Sequence, residues 1–317
     1  MLKPTLLAVA AAVAVGAAQA ETFKINDKTT FEVNVDVGAY YVSEKNADGK
    51  SESQIAGKGM NQVEIKADHK MADGVKVFGE IEIDYDPIKD NDSVKTDDVK
   101  VGLSGGFGKI MAGQFDSFAE DNIFEALAVG HGEYAFVSEP ASGNDGRHLQ
   151  YSNSFGDLKL GLDLTHKAGA DDATASKTGM VLGMTYKLSD LTLGFAYDKI
   201  TGFDTDGKAA KAKSTTGMSV KYKLGDATLL GLAAQTTPVS GGDKTKYTGF
   251  GVTYDMGAVN LGLAYQQVKT GDTKTNETSL GVSYEMYKNM SIYADMLKTG
   301  ANKGEGDALE VGIAYSF

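Results

Sequence analysis

The sequence predicts an all-β fold, a transmembrane barrel of sixteen antiparallel strands with long loops at one rim and short turns at the other. Three observations predict it: apolar and polar residues alternate along segment after segment, the connections alternate between long and short, and the N-terminus reads as an export signal. Period-2 alternation puts one apolar and one polar face on each strand, as a sheet between lipid and water needs. In hydrocarbon every backbone N–H and C=O must be paired, and a sheet achieves that only by closing on itself.

At the N-terminus, Lys3 supplies a positive charge, Leu6 to Ala18 is apolar, and Ala18-Gln19-Ala20 has the small-x-small form of a cleavage site. Residues 1–20 are therefore read as a secretory signal peptide, and 21–317 as one barrel domain beginning at Glu21. The apolar run is shorter than the roughly 17–25 residues that span a bilayer, and no second long apolar run follows.

The first strand has Phe31, Val33, Val35, Val37, Ala39 and Tyr41 against Glu32, Asn34, Asp36 and Gly38. Residues 60–70 form the second, blurred by small and polar residues. In the third, Val75, Val77, Ile81, Ile83 and Tyr85 oppose Lys76, Glu80, Glu82 and Asp84. Residues 109–115 are the fifth. Leu158 to Leu164, Leu191 to Tyr197, Phe250 to Tyr254, Val259 to Tyr265, Leu280 to Tyr284 and Leu309 to Phe317 repeat the pattern, and 227–236 carries it through small residues. Segments of about ten residues suit tilted membrane strands. Tyrosines at strand ends (Tyr41, Tyr186, Tyr222, Tyr254 and Tyr284 among them) suit interfacial girdles.

The short connections carry turn chemistry, such as Ala72-Asp73-Gly74, Gly105-Gly106-Phe107-Gly108 and Gly225-Asp226. The long ones are polar: 43–59, 86–95, 116–146, 167–177, 200–214, 237–244, 268–276 and 298–307. Eight long and seven short connections in strict alternation place both termini on the periplasmic side.

Composition narrows the function. There is no cysteine, which excludes disulfides, thiol nucleophiles and Cys-ligated metal. With 43 acidic against 31 basic residues the net charge is −12, which disfavours nucleic acid as a partner. The four histidines (His69, His131, His148 and His166) stand in separate segments without a catalytic or zinc-binding spacing, so no enzyme activity and no cofactor or metal is expected. The cluster Asp90, Asp92, Asp97 and Asp98 lacks calcium-loop spacing and reads as solvated loop.

Three stretches carry a family resemblance: Gly106 to Ser117, Arg147 to Asn153, and Glu310 to Phe317 with its terminal aromatic. The chain resembles the general, non-specific porins of Gram-negative bacteria, the type found in proteobacteria such as Neisseria and Comamonas. The resemblance implies an outer-membrane location, a homotrimer, and a third loop, residues 116–146, folded into the barrel. It also implies passive diffusion of small hydrophilic solutes, and an assembly signal at Tyr315 and Phe317 read by the barrel-assembly machinery. Lipid and lipopolysaccharide would surround the barrel.

On that reading Asp116, Glu120, Asp121, Glu125 and Glu133 form the acidic side of a constriction. Strand phase puts Lys66, Lys76, Lys100 and Lys109 on the opposite, basic wall, since Ile65, Val77, Val99 and Ile110 face lipid. Gln114, Gln150, Arg147, Glu80 and Glu82 are read as pore lining. The family often has arginine where this chain has Gln114 and Gln150, and Arg147 is its sole arginine. Inward acids outnumber inward lysines, which predicts a mild preference for cations. A channel specific for an oligosaccharide or a particular ion is the alternative; Tyr40, Phe78 and Tyr293 are its main lumen-phase aromatics.

Overall fold

The computed structural model describes residues 21–316 apart from 47, 57–60, 87–92, 132–136, 138–139, 141–146, 168–176, 202–212, 239–240 and 301–305. The expected signal peptide 1–20 and Phe317 lie outside the described residues. The strands are β1 (Glu21–Asn26), β2 (Thr29–Lys45), β3 (Ser51–Ala56), β4 (Gln62–Lys70), β5 (Lys76–Asp86) and β6 (Ser93–Gly105). Next come β7 (Gly108–Gln114), β8 (Arg147–Phe155), β9 (Leu158–Lys167), β10 (Lys177–Leu188), β11 (Leu191–Thr201) and β12 (Lys213–Leu224). The last six are β13 (Ala227–Pro238), β14 (Thr245–Asp255), β15 (Val259–Thr270), β16 (Thr273–Tyr287), β17 (Met290–Thr299) and β18 (Ala308–Ser316).

Among the described residues these strands make sixteen staves of one closed antiparallel barrel. β3 and β4 share one stave: β3 pairs with Tyr40–Lys45 of β2 and β4 with Thr29–Asp36 on the same edge. On the other edge of β2, β18 pairs with residues 36–44 and β1 with residues 29–33, so β1 carries on the line of β18. The β18–β2 pairing closes the ring and leaves no free edge among the described residues.

The phase read from sequence recurs in the burial. On β11, Leu193 is 43% exposed while its neighbours Gly194, Ala196 and Asp198 are buried inside. Exposed apolar side chains such as Leu182, Met184, Val220, Leu263 and Ile313 continue that outer face around the barrel. Tyr186, Tyr222, Tyr254 and Tyr284, exposed on the outside, sit close to the short turns as a girdle would.

Two connections differ from expectation. Residues 268–276 are no long loop: the β15–β16 ladder runs on to Thr270 opposite Thr273, and only Gly271 and Asp272 turn. The residues there are polar, which mimics a loop, but Thr270, Thr273 and Thr275 suit an extended chain and Gly271 supplies the left-handed φ of 58° a tight turn needs. Within 43–59, β3 pairs with the top of β2, again a polar ladder that hydropathy hides. The six-residue β1 is also absent from the sequence reading, being too short for periodicity to register.

Candidate pore and its constriction

The described part of the third loop lies inside the barrel. Among the described residues it is Phe115–His131, Val137 and Pro140, with one π-helical turn at Glu120–Phe124. Phe118, Ala119, Ile123, Phe124, Ala126 and Leu127 are all at most 2% exposed, so the apolar residues of this segment are covered by the wall. Burying each large apolar side chain is worth roughly 1.5–3 kcal/mol.

The wall is shaped to receive it. A side chain at Gly161 of β9 or Gly183 of β10 would collide with Phe118 and one at Gly217 of β12 with Phe124, while one at Gly194 of β11 would clash with Ser219 and press on Ile123. Gly249 of β14 meets Leu127, Gly262 of β15 meets Val129, and Gly281 of β16 meets Gly130. These inward glycines form a trough along which the loop travels from stave to stave. Val181, Ala196, Leu230, Leu232 and Ala264 add an apolar lining to the same wall.

Carboxylates hold the ends of this path. Phe118 N donates to Asp163 Oδ2 at 3.0 Å, and Gln150 Nε2 donates to the other carboxylate oxygen. His131 N donates to Asp295 Oδ2 at 3.1 Å. Asp163, Asp198, Asp295 and Glu310 are at most 1% exposed. They are inward, as phase predicts, but covered rather than open to lumen water. Alternation reports which face a residue is on and cannot report what lies over that face. Tyr293, also inward, donates to Glu310 and is likewise buried.

The opposite wall, β2 and β4–β7, is densely charged. Lys66 Nζ lies 2.6 Å from Glu64, Lys76 3.1 Å from Asp68, and Lys100 2.7 Å from Glu80 and 2.9 Å from Asp98. Across the strands Glu32, Lys66, Glu80 and Lys100 stand opposite one another, a rung of alternating sign. So Lys66, Lys76 and Lys100 are on the wall where phase puts them, but each is engaged by a wall carboxylate. Glu80 and Glu82 are inward as expected. Opposite Glu82 a bulge in β6 draws Asp97 close, and carboxylate oxygens of Glu82, Asp84 and Asp97 lie within 4.8 Å of one another. Asp97 and Asp98 thus belong to a strand rather than a loop.

Of the loop acids, Asp116 and Asp121 are exposed, Glu120 and Glu125 are half-buried, and Glu133 lies outside the described residues. Asp121 meets water on one side, but the wall and loop atoms enclosing it thin its solvation and Asp116 beside it adds repulsion, so its carboxyl is raised to about 6. Lys100 and Lys159 partly offset this. Lys159 also donates to Asn122 Oδ1 at 3.1 Å and sits 5.1 Å from the Phe118 ring centre.

The reading of Gln114 and Arg147 as pore lining is corrected. The two are cross-strand partners, and they share the outward phase with Ile110 and Leu149. Gln114 donates to the Asp97 carbonyl at 3.0 Å. Gln150 does face inward, but is buried against Asp163. Tyr315 stands on the outward phase of β18 with Val311 and Ile313.

Comparison with known proteins agrees with this architecture. The family model described as Gram-negative porin matches residues 7–305. Two curated relatives are each 24% identical, with both chains covered in full: a "Monosaccharide porin" of a Halomonas species and a "Major outer membrane protein" of Halomonas elongata. Among solved structures, the anion-selective porin from Comamonas acidovorans superposes with a TM-score of 0.73 at 19% identity, covering 92% of this chain and 100% of that one. Salmonella typhi OmpF, in complex with daunomycin, gives 0.73 at 17% identity, over 94% and 100%. A closed barrel with its third loop laid along the inner wall, matched over nearly its whole length by that family, makes this chain a member of the Gram-negative porins, an outer-membrane channel and not an enzyme.

Proposed function

We propose that the channel is a water-filled pore for passive diffusion of small hydrophilic solutes and ions, with a mild preference for cations. The observation that carries this is the imbalance of engaged and open charge. Lys66, Lys76 and Lys100 are each paired with wall carboxylates, whereas Asp121 is exposed on the loop. Acids Asp116, Glu120, Asp121, Glu125 and Glu133 form one side of the constriction on this reading, and Lys66, Lys76, Lys100 and Lys109 the other. The field between them orients polar solutes.

The working unit is a homotrimer, a reading supported by the similar fold of the trimer form of OmpT, an outer membrane protein of Vibrio cholerae. The chain is exported through cleavage after Ala20, delivered by Tyr315 and Phe317 to the barrel-assembly machinery, and set among lipid and lipopolysaccharide. The test is current through purified protein in planar bilayers under a KCl gradient. Closure in three equal steps and a cation-sided reversal potential support the proposal; a zero or anion-sided potential sinks the selectivity.

A second reading, a channel specific for one solute class, is favoured by the curated relative called a monosaccharide porin. Liposome swelling separates them. Rates ordered by size alone support the general pore, and a saturable rate for one sugar supports the specific one.

A further inference from the structure

At the short-turn side of the charged wall, reaching from the Lys76 rung up to Glu80 and Glu32, lies a recess of about 310 Å³. Its lining includes Lys66, Asp68, Lys76, Phe78, Ser104 and Lys109. Register explains how it forms. Lys76, Ser104 and Lys109 are successive cross-strand partners on β5, β6 and β7, so a hydroxyl stands between two ammonium groups on one rung. On the next rung Phe78 opposes Gly102, where any side chain would collide with the ring; the glycine lets the ring lie against β6.

The charges of the recess are not equivalent. Asp68 is engaged by Lys76, Glu80 by Lys100, and Glu32 accepts the Asn34 amide at 3.2 Å. Lys109 makes no ion pair among the described residues. Its ammonium sits 4.8 Å from the Phe78 ring centre, with Lys76 at 6.0 Å, and feels Lys100, Lys159 and Lys76 as like charges and Glu80, itself paired with Lys100, as an opposite one. Several ammonium groups held close together, one lacking a carboxylate, with a hydroxyl donor and an aromatic face beside it, match a ligand with one negative charge and an apolar body.

We propose that this recess is a binding subsite for small organic carboxylates, with the carboxylate on Lys109 and Ser104 and the apolar part on Phe78. The inference rests on the barrel being an open diffusion channel, and it adds a station for anions in a pore whose narrow part favours cations. Such a station slows an organic anion without excluding it.

The probe is benzoate, with neutral benzamide as control. Two readouts are used: block of single-channel current, and equilibrium titration of folded, detergent-solubilised protein, which does not depend on conduction. Saturable benzoate block that benzamide does not reproduce is expected. Lys109→Gln should raise the half-saturating concentration about tenfold, the loss of one charge-assisted hydrogen bond, while Lys109→Arg stays within about threefold. Ser104→Ala, a small change on a surface-like site, provides a second variant with a smaller loss of about threefold should Lys109→Gln not fold. No saturable binding to a wild-type pore that conducts KCl overturns the subsite and leaves the channel standing. Equal binding of benzamide, or unchanged affinity in Lys109→Gln or Ser104→Ala, also overturns it. Absence of KCl conduction contradicts the channel reading itself, and the titration then decides the subsite separately.

Discussion

Asp163 on β9 accepts the backbone amide of Phe118 at 3.0 Å, and this one bond joins the barrel wall to the start of the third loop. The same carboxylate accepts the Gln150 side chain from β8, so it holds wall to wall and wall to loop at once. Both donors are buried with it. An isosteric loss of charge and a full truncation therefore have different consequences.

Asp163→Ala leaves the Phe118 N–H and the Gln150 amide without that acceptor. The expected cost is roughly 1–3 kcal/mol. It should appear as a lower unfolding midpoint in heat-modifiability gels and as noisier open-channel current from a loosened loop. Asp163→Asn, which keeps an acceptor, should fall between wild type and Ala. An Ala variant with wild-type midpoint and noise would show that the bond does not hold the loop.

The glycine trough makes a prediction about pore size. At Gly161 and Gly183 any added side chain meets Phe118. Gly183→Leu should push the loop toward the opposite wall and reduce single-channel conductance, with an overpacking cost of about 1–3 kcal/mol. The control is Gly74→Ala in a short turn, where a Cβ meets nothing but φ is +74°; it should cost stability without changing conductance. Equal conductance in Gly183→Leu and wild type would separate the trough from pore size.

Selectivity should depend on pH through Asp121, whose carboxyl is raised to about 6 by lost bulk solvation and by Asp116. It carries its negative charge at pH 7.5 and loses it as pH falls through 6. Reversal potentials should therefore move away from the cation side between pH 7 and 5, and Asp121→Asn should flatten that step. The stability linkage runs the opposite way to selectivity: a raised carboxyl disfavours the folded state when ionised, so that penalty is relieved and stability rises as pH falls through 6. A step of unchanged size in Asp121→Asn would assign the titration to another group.

Lys100 stands between Glu80 and Asp98. Lys100→Gln leaves those two carboxylates without their cation, so the local field becomes more negative. Reversal potentials at low salt should shift further to the cation side, and the shift should shrink at 1 M salt, where screening is stronger. A shift toward anions would mean that the wall carboxylates had become protonated instead.

Strand count, rim assignment and the identity of the inward face were legible in the sequence, because they follow from period-2 alternation and turn residues that are local along the chain. Lys66, Lys76, Lys100 and Lys109 were found on the inner wall for that reason. Gln114 and Arg147 lie instead on the outward phase, a parity that Ile110 and Leu149 on the same strands carry in the sequence. What tertiary structure alone decided is coverage and pairing. Whether Asp198 or Asp121 meets water depends on where the third loop lies, and which lysine is neutralised depends on the cross-strand register of staves distant in sequence. The loop itself is placed by seven glycines on seven different strands, which look like isolated weak points in a strand until closure of the barrel aligns them. Backbone pairing in the membrane determines the barrel from local pattern; the selectivity of its lumen arises from contacts that exist only once it is closed.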